Sequence, residues 1–408
     1  MKNFLFLWFL SLISFSCTKN SDNNTNPDEL QPGITTISPV SGYEGTTVTI
    51  TGKNFSNTIS NNTVKFNGTN ATVISATSTA LVVTAPVGGT TGHVTVTTTN
   101  GTGTGPIYTY KVDVYAAGYI DHEAKFWKNG IATVLATGYS YTYANGIFVS
   151  DTNVYVVGSV DDTVKIWKNG VGTSLSSGFS EAQGKSVFVD GADVYVSGYD
   201  QSGMYEIAKI WKNGVASPLT YNAYNASGES VYVSGGNVYV AGYEAKGTPS
   251  TAAKLWKNGV PTSLTTGARY SEAKSVFVAG NDVYVAGFEN NASNKSVAKL
   301  WKNGVETALT DGTNAASANA VYVSGSDVYV AGTEYNGSQY FAKIWKNGVA
   351  TNISDGTHTA GINSIFVVNS DIYAAGYDDV LKIWKNGVAT NLSSIAAFDD
   401  AKCIFVKK

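Results

Sequence analysis

Residues 275–309, SVFVAGNDVYVAGFENNASNKSVAKLWKNGVETAL, decide the fold of this chain. The stretch contains four short runs rich in β-branched and aromatic residues, a pattern that predicts strands. The runs lie at 275–278, 282–287, 298–302 and 305–309. The pair Asn303-Gly304 separates the last two runs and predicts a type I′ hairpin turn, because both central residues of that turn need a positive φ. We therefore predict a four-stranded antiparallel meander, with strands A to D in chain order.

The string Trp-Lys-Asn-Gly within this stretch occurs seven times. It begins at Trp127, Trp167, Trp211, Trp256, Trp301, Trp345 and Trp384. Successive copies lie 40, 44, 45, 45, 44 and 39 residues apart, which is the period of a four-stranded propeller blade. An Asn or Asp precedes strand B in every copy, as expected where an Asx side chain completes a turn. We predict a seven-bladed β-propeller over 111–408, with strand A nearest the axis.

The two ends of the repeat region predict how the propeller closes. The first copy opens directly with a strand B, at 112–115, and the chain ends in an unpaired strand A, at 403–406. The last strand should therefore complete the first blade, which would leave no open sheet edge at the seam. A composition of 43 Gly and 25 Tyr with 14% charged residues also favours an all-β chain.

Residues 32–110 form a separate pattern of alternating strands. Apolar residues alternate with Thr at 46–52, 63–66, 80–83 and 92–96, which predicts half-buried antiparallel strands in a β-sandwich. The strings ISPVSG at 37–42, GTTVTITGKNF at 45–55 and VKFNG at 64–68 resemble the IPT/TIG family of immunoglobulin-like domains. The resemblance implies a domain that acts as a spacer or adhesion module.

The N-terminus reads as a targeting segment. A short positive region, Met1-Lys2, precedes an apolar run at 4–15 that is too short for a membrane helix of about 20 residues. The run ends in Ser14-Phe15-Ser16-Cys17, which resembles the bacterial lipoprotein box. We predict a signal peptide at 1–16, lipidation of Cys17 and a flexible tether at 17–31. The residue after Cys17 is Thr18, so the resemblance implies the outer membrane, with the protein exposed at the surface; an ordinary signal peptide is the alternative.

One face of the predicted propeller differs between the repeats, and we expect a ligand there because binding residues accumulate on loops of a rigid scaffold. A ring of seven polar or charged residues comes immediately before strand A and should surround the channel mouth: Asn145, Lys185, Glu229, Lys274, Asn319, Asn363 and Lys402. An aromatic residue follows the Gly that closes strand B in five blades: Tyr119, Tyr199, Tyr243, Phe288 and Tyr377. An acid lies beyond it in each blade: Asp121, Asp161, Asp200, Glu244, Glu289, Glu334 and Asp378.

These residue types suggest a glycan site, since aromatic faces stack on sugar CH groups while amides and carboxylates bind hydroxyls. The simpler interpretation, which we prefer for these particular residues, is that the aromatics pack between blades and the acids keep the rim soluble. A Ca²⁺ ion wants six to eight oxygens at close range, and one acid per blade spreads them too far apart. We interpret each Trp, and the Lys two residues before it, as blade packing, with the Lys stem along the ring. Cys403 occupies a position where the other copies have Gly, Ser or Ala, so we expect an inert core residue.

No catalytic triad, metal-binding His pair, Walker loop or dinucleotide fingerprint occurs in the sequence. We expect a solvated or hydrogen-bonded side chain for His93. The loop residues His122 and His358 leave a general-base role open. A net charge of −3 disfavours nucleic acid. We predict a monomeric cell-surface binding or adhesion protein for a glycan or a protein partner, without cofactor or metal. The protein would contact the membrane only through the lipid attached to Cys17. The alternatives are a propeller-fold polysaccharide lyase or hydrolase, and a purely structural surface module.

Overall fold

The computed structural model describes residues 30–138, 141–177, 181–221, 224–247, 250–393 and 400–408. The chain divides into two compact units, residues 1–111 and 112–408. The predicted signal peptide, the predicted lipidation site Cys17 and residues 18–29 of the predicted tether lie outside the described residues. No helix in the described part of the chain is long and apolar enough to cross a membrane.

The first unit is a β-sandwich. Its described strands are β1 (Gly33–Ser38), β2 (Ser41–Gly42), β3 (Thr47–Lys53), β4 (Thr63–Phe66), β5 (Thr69–Asn70), β6 (Thr72–Ala76), β7 (Ala80–Thr84), β8 (Gly92–Thr98) and β9 (Gly101–Tyr110), with a 3₁₀ turn at Ile59–Asn61. One sheet has the order β1-β3-β7-β6 and the other β2-β9-β8-β4-β5. All pairs are antiparallel except β2 with β9.

Alternating residues of these strands supply the sandwich core. Val48 and Ile50 of β3 are fully buried, while the Thr residues between and beside them are exposed, as the period of a half-buried strand requires. Phe66, Tyr108 and Tyr110 pack edge to face, with the Phe66 and Tyr108 ring centroids 5.0 Å apart. The exposed side chain of His93 places Nδ1 2.7 Å from the carbonyl oxygen of Gly105, so this His is hydrogen-bonded within the domain.

The second unit contains four-stranded antiparallel sheets, numbered here 1 to 7 along the chain. Sheet 1 contains β10 (Asp113–Ile120), β11 (Glu123–Lys128) and β12 (Ile131–Ala136). Sheets 2 to 4 contain β13 (Thr142–Ser150), β14 (Asn153–Val160), β15 (Thr163–Lys168), β16 (Val171–Ser174), β17 (Ala182–Asp190), β18 (Asp193–Ser202), β19 (Tyr205–Lys212), β20 (Val215–Pro218), β21 (Ala226–Ser234), β22 (Asn237–Ala245), β23 (Thr251–Lys257) and β24 (Val260–Ser263). Sheets 5 to 7 contain β25 (Ser271–Ala279), β26 (Asp282–Asn290), β27 (Ser296–Lys302), β28 (Val305–Ala308), β29 (Ala316–Ser324), β30 (Asp327–Tyr335), β31 (Tyr340–Lys346), β32 (Val349–Asn352), β33 (Ala360–Val368), β34 (Asp371–Asp378), β35 (Val380–Lys385) and β36 (Val388–Asn391). The last strand, β37 (Asp400–Lys407), returns to sheet 1.

The innermost strands contact one another in a closed cycle. In order, β13, β17, β21, β25, β29 and β33 each contact the next, β33 contacts β37, and β37 contacts β13. An aromatic side chain from each of these strands stacks on its neighbours around the axis, with centroid distances of 4.7–5.1 Å: Phe148, Phe188, Tyr232, Phe277, Tyr322, Phe366 and Phe405. Seven sheets thus close into a propeller within the described residues, and the all-β prediction is confirmed.

Strand β37 closes the ring as predicted. It pairs antiparallel with β10, from Asp113 opposite Lys407 to Tyr119 opposite Asp400. Ile404 and Val406 are almost completely buried. They share a hydrophobic cluster with Tyr373 of sheet 7 and Trp127 of sheet 1. The first and last repeats of the chain are therefore joined by the same kind of hydrophobic cluster as every other pair of neighbouring sheets.

The repeated Trp fills the space between sheets. Each inter-sheet cluster combines the strand B Tyr of one sheet with the Trp of the next, from Tyr115 with Trp167 round to Tyr373 with Trp127. The Lys that follows each Trp lies over the Tyr ring of its own sheet, with its Nζ 5.2–5.4 Å from the centroid. Both residues are used to hold the propeller together.

The Asn-Gly turns fix the backbone on one face of the propeller. In every repeat the turn Asn has a φ near 50° and the turn Gly a φ near 80°, the left-handed values of a type I′ turn. The Asn side chain donates to the Asx residue that precedes strand B, as Asn303 does to Asp282 at 2.7 Å, and accepts from the next backbone N–H, here Val283 at 2.8 Å. The A–B and C–D turns are thus tied together, and this face is structural.

A β-bulge interrupts each innermost strand opposite the Gly near the middle of strand B. In sheet 4 the pairing steps from Gly228–Gly242 to Ser230–Ala241, so Glu229 has no partner of its own. A Cβ on Gly242 would lie 1.9 Å from the carbonyl oxygen of Ser227. Only Gly tolerates so close a backbone approach. The same relation holds in all seven sheets, with a distance of 1.8–2.2 Å.

We expect Gly242→Ala to lower the stability of the propeller by about 1–3 kcal/mol, the usual cost of forcing an extra carbon into packed backbone. Ser217→Ala, on the exposed outer strand β20, is the control and should change stability by less than about 0.5 kcal/mol. Thermal unfolding followed by circular dichroism measures both. An unchanged melting temperature for Gly242→Ala would show that the bulge does not require glycine.

Candidate ligand-binding site at the channel mouth

The predicted ring residues converge on one cavity. Asn145, Lys185, Glu229, Lys274, Asn319, Asn363 and Lys402 all line a cavity of about 280 Å³. Each is the bulge residue of its innermost strand, and a bulge turns the extra side chain out of the regular alternation. The prediction that the ring comes immediately before strand A is wrong in detail: in sheet 5, for example, strand A begins at Ser271 rather than Ser275. Strand A starts earlier in each repeat, and the ring lies within it.

Small side chains line the cavity one residue beyond the ring. They are Gly146, Ser186, Ser230, Ser275, Ala320, Ser364 and Cys403. The Ser hydroxyls accept backbone N–H groups from the next innermost strand, at 3.1–3.3 Å, as Ser186 does from Val231. Cys403 is a free thiol. Burial raises its pKa and disfavours the reactive thiolate, which agrees with the expected inert residue.

The three ring lysines each have a partner two residues earlier in the same strand. Lys274 pairs with Glu272 at 2.9 Å and Lys402 with Asp400 at 2.5 Å. Lys185 donates to Gln183 Oε1 at 2.8 Å. The same lysines lie over predicted aromatic residues of their own sheets, with Nζ 5.5–5.8 Å from the ring centroids of Tyr199, Phe288 and Tyr119. Two of the predicted groups are therefore in contact with each other.

Glu229 is the one acid of the ring. Burial acts to raise its pKa, but the ammonium groups of Lys185, Lys274 and Lys402 and a hydrogen bond from Ser227 outweigh burial, so the pKa of Glu229 is lowered. Ser227 Oγ donates to Glu229 Oε1 at 2.5 Å. None of the lysines in the described part of the chain forms a direct ion pair with Glu229. The Glu229 carboxylate is kept ionised by lysine charges around the cavity that do not contact the carboxylate directly.

The three ring asparagines join neighbouring sheets. Asn145 donates to the carbonyl of Gly184, Asn319 to that of Ile362 and Asn363 to that of Ala401, at 2.9–3.1 Å. Each acceptor residue comes just before the ring residue of the following sheet. The asparagines therefore fix the spacing of sheets at three junctions. Around the ring, Lys185, Glu229 and Lys274 lie between Asn145 and Asn319, and Lys402 lies between Asn363 and Asn145.

The predicted aromatic residues are less available than a sugar-stacking platform requires. Tyr199 is 5% exposed and Phe288 8%. Tyr119, Tyr243 and Tyr377 are half-buried. Ring lysines cover Tyr119, Tyr199 and Phe288. The structure therefore favours packing for these five residues, which is the simpler of the two interpretations of the sequence, over open aromatic faces.

The predicted acids serve mainly as partners of the repeated Lys. The Lys two residues before each Trp does not simply lie along the indole ring: in five sheets it forms an ion pair with the acid of strand B, at 2.7–2.9 Å where the distance is in the normal range. The pairs are Lys209–Asp200, Lys254–Glu244, Lys299–Glu289, Lys343–Glu334 and Lys382–Asp378. Asp121 and Asp161 instead stand in turns with positive φ. These acids do not gather, and the described residues hold no cluster of metal-ligating side chains.

Sequence reasoning missed a group of carboxylates and tyrosines beside the ring. Tyr199 Oη donates to Glu181 at 2.8 Å, and Tyr243 Oη donates to Glu206 at 3.4 Å. Tyr270 Oη likewise donates to Glu272. Burial and the nearby Glu181 raise the pKa of Glu206. Glu181, Glu206 and Tyr270 belong to single repeats, so no repeated pattern marks them in the sequence.

The remaining His residues lie away from the cavity lining. His358 Nδ1 is 3.0 Å from the hydroxyl of Thr357, and the His122 ring packs edge to face on Tyr141 at 6.5 Å. Neither residue lines the cavity. The structure does not bring a His together with the ring.

Comparison with known proteins identifies the first unit. Residues 32–112 match the model of the IPT/TIG domain family, so this part of the chain is an IPT/TIG domain, as predicted. No curated protein is significantly similar to the chain.

Similar solved structures include three from Bacteroides. A structural genomics protein of unknown function from Bacteroides thetaiotaomicron is 12% identical, with a TM-score of 0.45 over 91% of this chain and 90% of that one. Auxiliary nutrient binding proteins from Bacteroides thetaiotaomicron and Bacteroides ovatus are 11% and 16% identical, with TM-scores of 0.28 and 0.32. Each alignment covers 90% of this chain and 86% of that protein.

We predict that the stabilising effect of Glu229 depends on pH. Its folded pKa is lowered, so the carboxylate stabilises the fold above the unfolded pKa of about 4.3, and this contribution is lost as pH falls through the folded value. Glu229→Gln should lower stability by about 1 kcal/mol at pH 7 and by less at pH 3. Thermal melts of both proteins across this range measure the difference, and a constant difference would contradict the assignment.

Proposed function

We propose that this chain is a cell-surface binding protein whose propeller takes its ligand at the mouth of the central channel. A glycan is the first ligand class and a protein partner the second. The observation that carries the proposal is the convergence of one bulge residue from every sheet on a single cavity. Concave sites with a few convergent polar groups are where proteins bind small ligands.

The charged residues of this ring are not needed to close the propeller. The sheets are already joined by the stacked aromatic side chains around the axis, the Ser hydroxyl contacts and the inter-sheet Trp clusters. Burying charge costs free energy unless the charge is compensated, so Lys185, Glu229 and Lys274 would be a poor choice for packing alone. This favours a binding role over a purely structural surface module.

We propose binding rather than catalysis. A lyase or hydrolase needs a general base within reach of its substrate, and neither His122 nor His358 lines the cavity. The pKa of Glu229 is lowered, which makes it a weak base at neutral pH. A propeller-fold polysaccharide lyase or hydrolase stays the alternative, and product analysis on any bound glycan distinguishes the two.

Replacement of ring residues should weaken binding while leaving the fold intact. A glycan array finds the ligand, and Lys274→Ala and Glu229→Ala should then each lower affinity by roughly tenfold or more, as expected for lost charge-assisted hydrogen bonds. Lys212→Ala and Lys302→Ala are matched controls beside the Asn-Gly turns and should bind normally. If the controls lose binding and the ring variants keep it, the ligand lies on the other face. New reducing ends or unsaturated products from the bound glycan would support the enzyme alternative.

We also propose that Cys17 is acylated and anchors the chain to the bacterial outer membrane. Support comes from the sequence, where Cys17 ends an apolar run and begins a polar segment. Metabolic labelling with a palmitate analogue should mark the wild type and leave Cys17→Ser unlabelled. Equal labelling of both proteins would argue for an ordinary signal peptide.

A further inference from the structure

We infer that the channel-mouth cavity binds a single neutral sugar unit, in which neighbouring hydroxyls bridge the Glu229 carboxylate and the ring lysines. The inference rests on the proposed function and narrows its ligand class. It follows from the hydrogen-bonding capacity, the charge balance and the size of the cavity.

The cavity offers hydrogen-bond donors around its rim. A lysine ammonium has three N–H donors. Among the described residues, Lys185, Lys274 and Lys402 each make one polar contact, to Gln183, Glu272 and Asp400. Each ammonium therefore has N–H donors left for a ligand. Lys185 is the ring lysine whose partner is a neutral amide, so a ligand there does not compete with a carboxylate for the ammonium.

The same cavity offers a charged acceptor. Glu229 Oε1 accepts the Ser227 hydroxyl, and the described residues provide no hydrogen-bond donor to Oε2. Among the described residues, no lysine forms an ion pair with Glu229, although Lys185, Lys274 and Lys402 all act on its charge. An acceptor and several donors thus line one cavity without being consumed by one another.

A sugar hydroxyl matches this arrangement because it donates and accepts at once. One hydroxyl of a vicinal pair can donate to Glu229 while its neighbour accepts from Lys185 or Lys274. A carboxylate or phosphate only accepts and would be repelled by Glu229. An ammonium only donates and would be repelled by the lysines. Neutral polyols satisfy both kinds of group.

The charge balance also disfavours an acidic sugar. The three ring lysines are matched by three carboxylates: Glu229 in the ring, and Glu272 and Asp400 paired to two of the lysines. Glu181 and Glu206 add negative charge beside Tyr199 and Tyr243. The mouth has no surplus of positive charge to attract an anion.

The cavity is sized for one sugar unit. Its volume of about 280 Å³ lies just below the roughly 300–1,000 Å³ typical of ligand pockets. Tyr199 and Phe288 are buried and, like Tyr119, lie under ring lysines. Tyr243 and Tyr377 are half-buried, so these five rings offer no open platform for further residues of a chain. A terminal sugar entering the mouth fits better than a chain lying across the face.

Isothermal titration of the mature chain with methyl glycosides tests the inference. The neutral probes are the methyl glycosides of glucose, galactose, mannose and xylose, and the charged probes are methyl glucuronide and methyl glucosaminide. At least one neutral probe should bind, with both charged probes at least tenfold weaker than the best neutral one. Glu229→Gln, which keeps the side-chain volume and the Ser227 contact, should weaken the neutral probe at least tenfold. Lys212→Ala is the control and should leave the affinity unchanged, with thermal melts confirming that both variants fold.

The remaining outcomes separate this inference from the proposed function. Preference for the glucuronide or the glucosaminide, with the ring variants still weakening it, would overturn the neutral-sugar inference and keep the binding site. A ligand from the array that depends on Lys274 and Glu229 while no monosaccharide binds would do the same. If no probe binds and no array ligand depends on the ring, the inference and the proposed site both fail. Binding of a neutral probe that is unchanged in Glu229→Gln would overturn the role of the carboxylate.

Discussion

The return of β37 to β10 is the contact on which the second unit depends. Without it, sheet 1 would lack its innermost strand, and the cycles of inner strands, aromatic rings and Trp clusters would all be interrupted at the same junction. A closed ring has no exposed inner edge, so each sheet is packed on both faces. The regular spacing of the seven bulge residues around the axis is a consequence of this closure.

The two faces of the propeller differ in how much their residues can vary, for a local physical reason. On one face, the Asn side chain, the Asx residue and the Lys over the Tyr ring are all committed to contacts within their own repeat, and these contacts recur in every sheet. Variation there would cost stability. At the other end of the innermost strands, the bulge frees one side chain per sheet from regular pairing. That side chain can vary among Asn, Lys and Glu because the backbone geometry is held by the opposing Gly.

The electrostatics of the channel mouth arise from positions that differ among repeats. Lys185, Glu229 and Lys274 come from three successive sheets, and their mutual influence lowers the pKa of Glu229 despite burial. Ion pairs within the strand balance two of the three ring lysines. The result is a cavity with separated donors and acceptor and little net charge. A ligand at the proposed site would be selected by hydrogen-bond geometry rather than by long-range attraction.

Much of this architecture was readable from the chain itself. The period of Trp-Lys-Asn-Gly, the Asn-Gly turns and the orphan strand at 403–406 are local signals, and they determined the strand order, the closure and the list of ring residues. The IPT/TIG motifs identified the family of the first domain. The Gly near the middle of strand B, which lies opposite the bulge, was also present in every repeat of the sequence. The alternation of side chains does not show that one residue of strand A lacks a partner. The start of strand A was therefore predicted too late in the chain. Only the tertiary structure decided which charges meet. Lys209 pairs with Asp200 across the β18–β19 hairpin, whereas Lys402 covers Tyr119 because the last strand of the chain returns to the first strand of the propeller. Most of the acids and aromatics considered as ligand contacts are thereby used within the fold, and the residues at the bulges face the cavity.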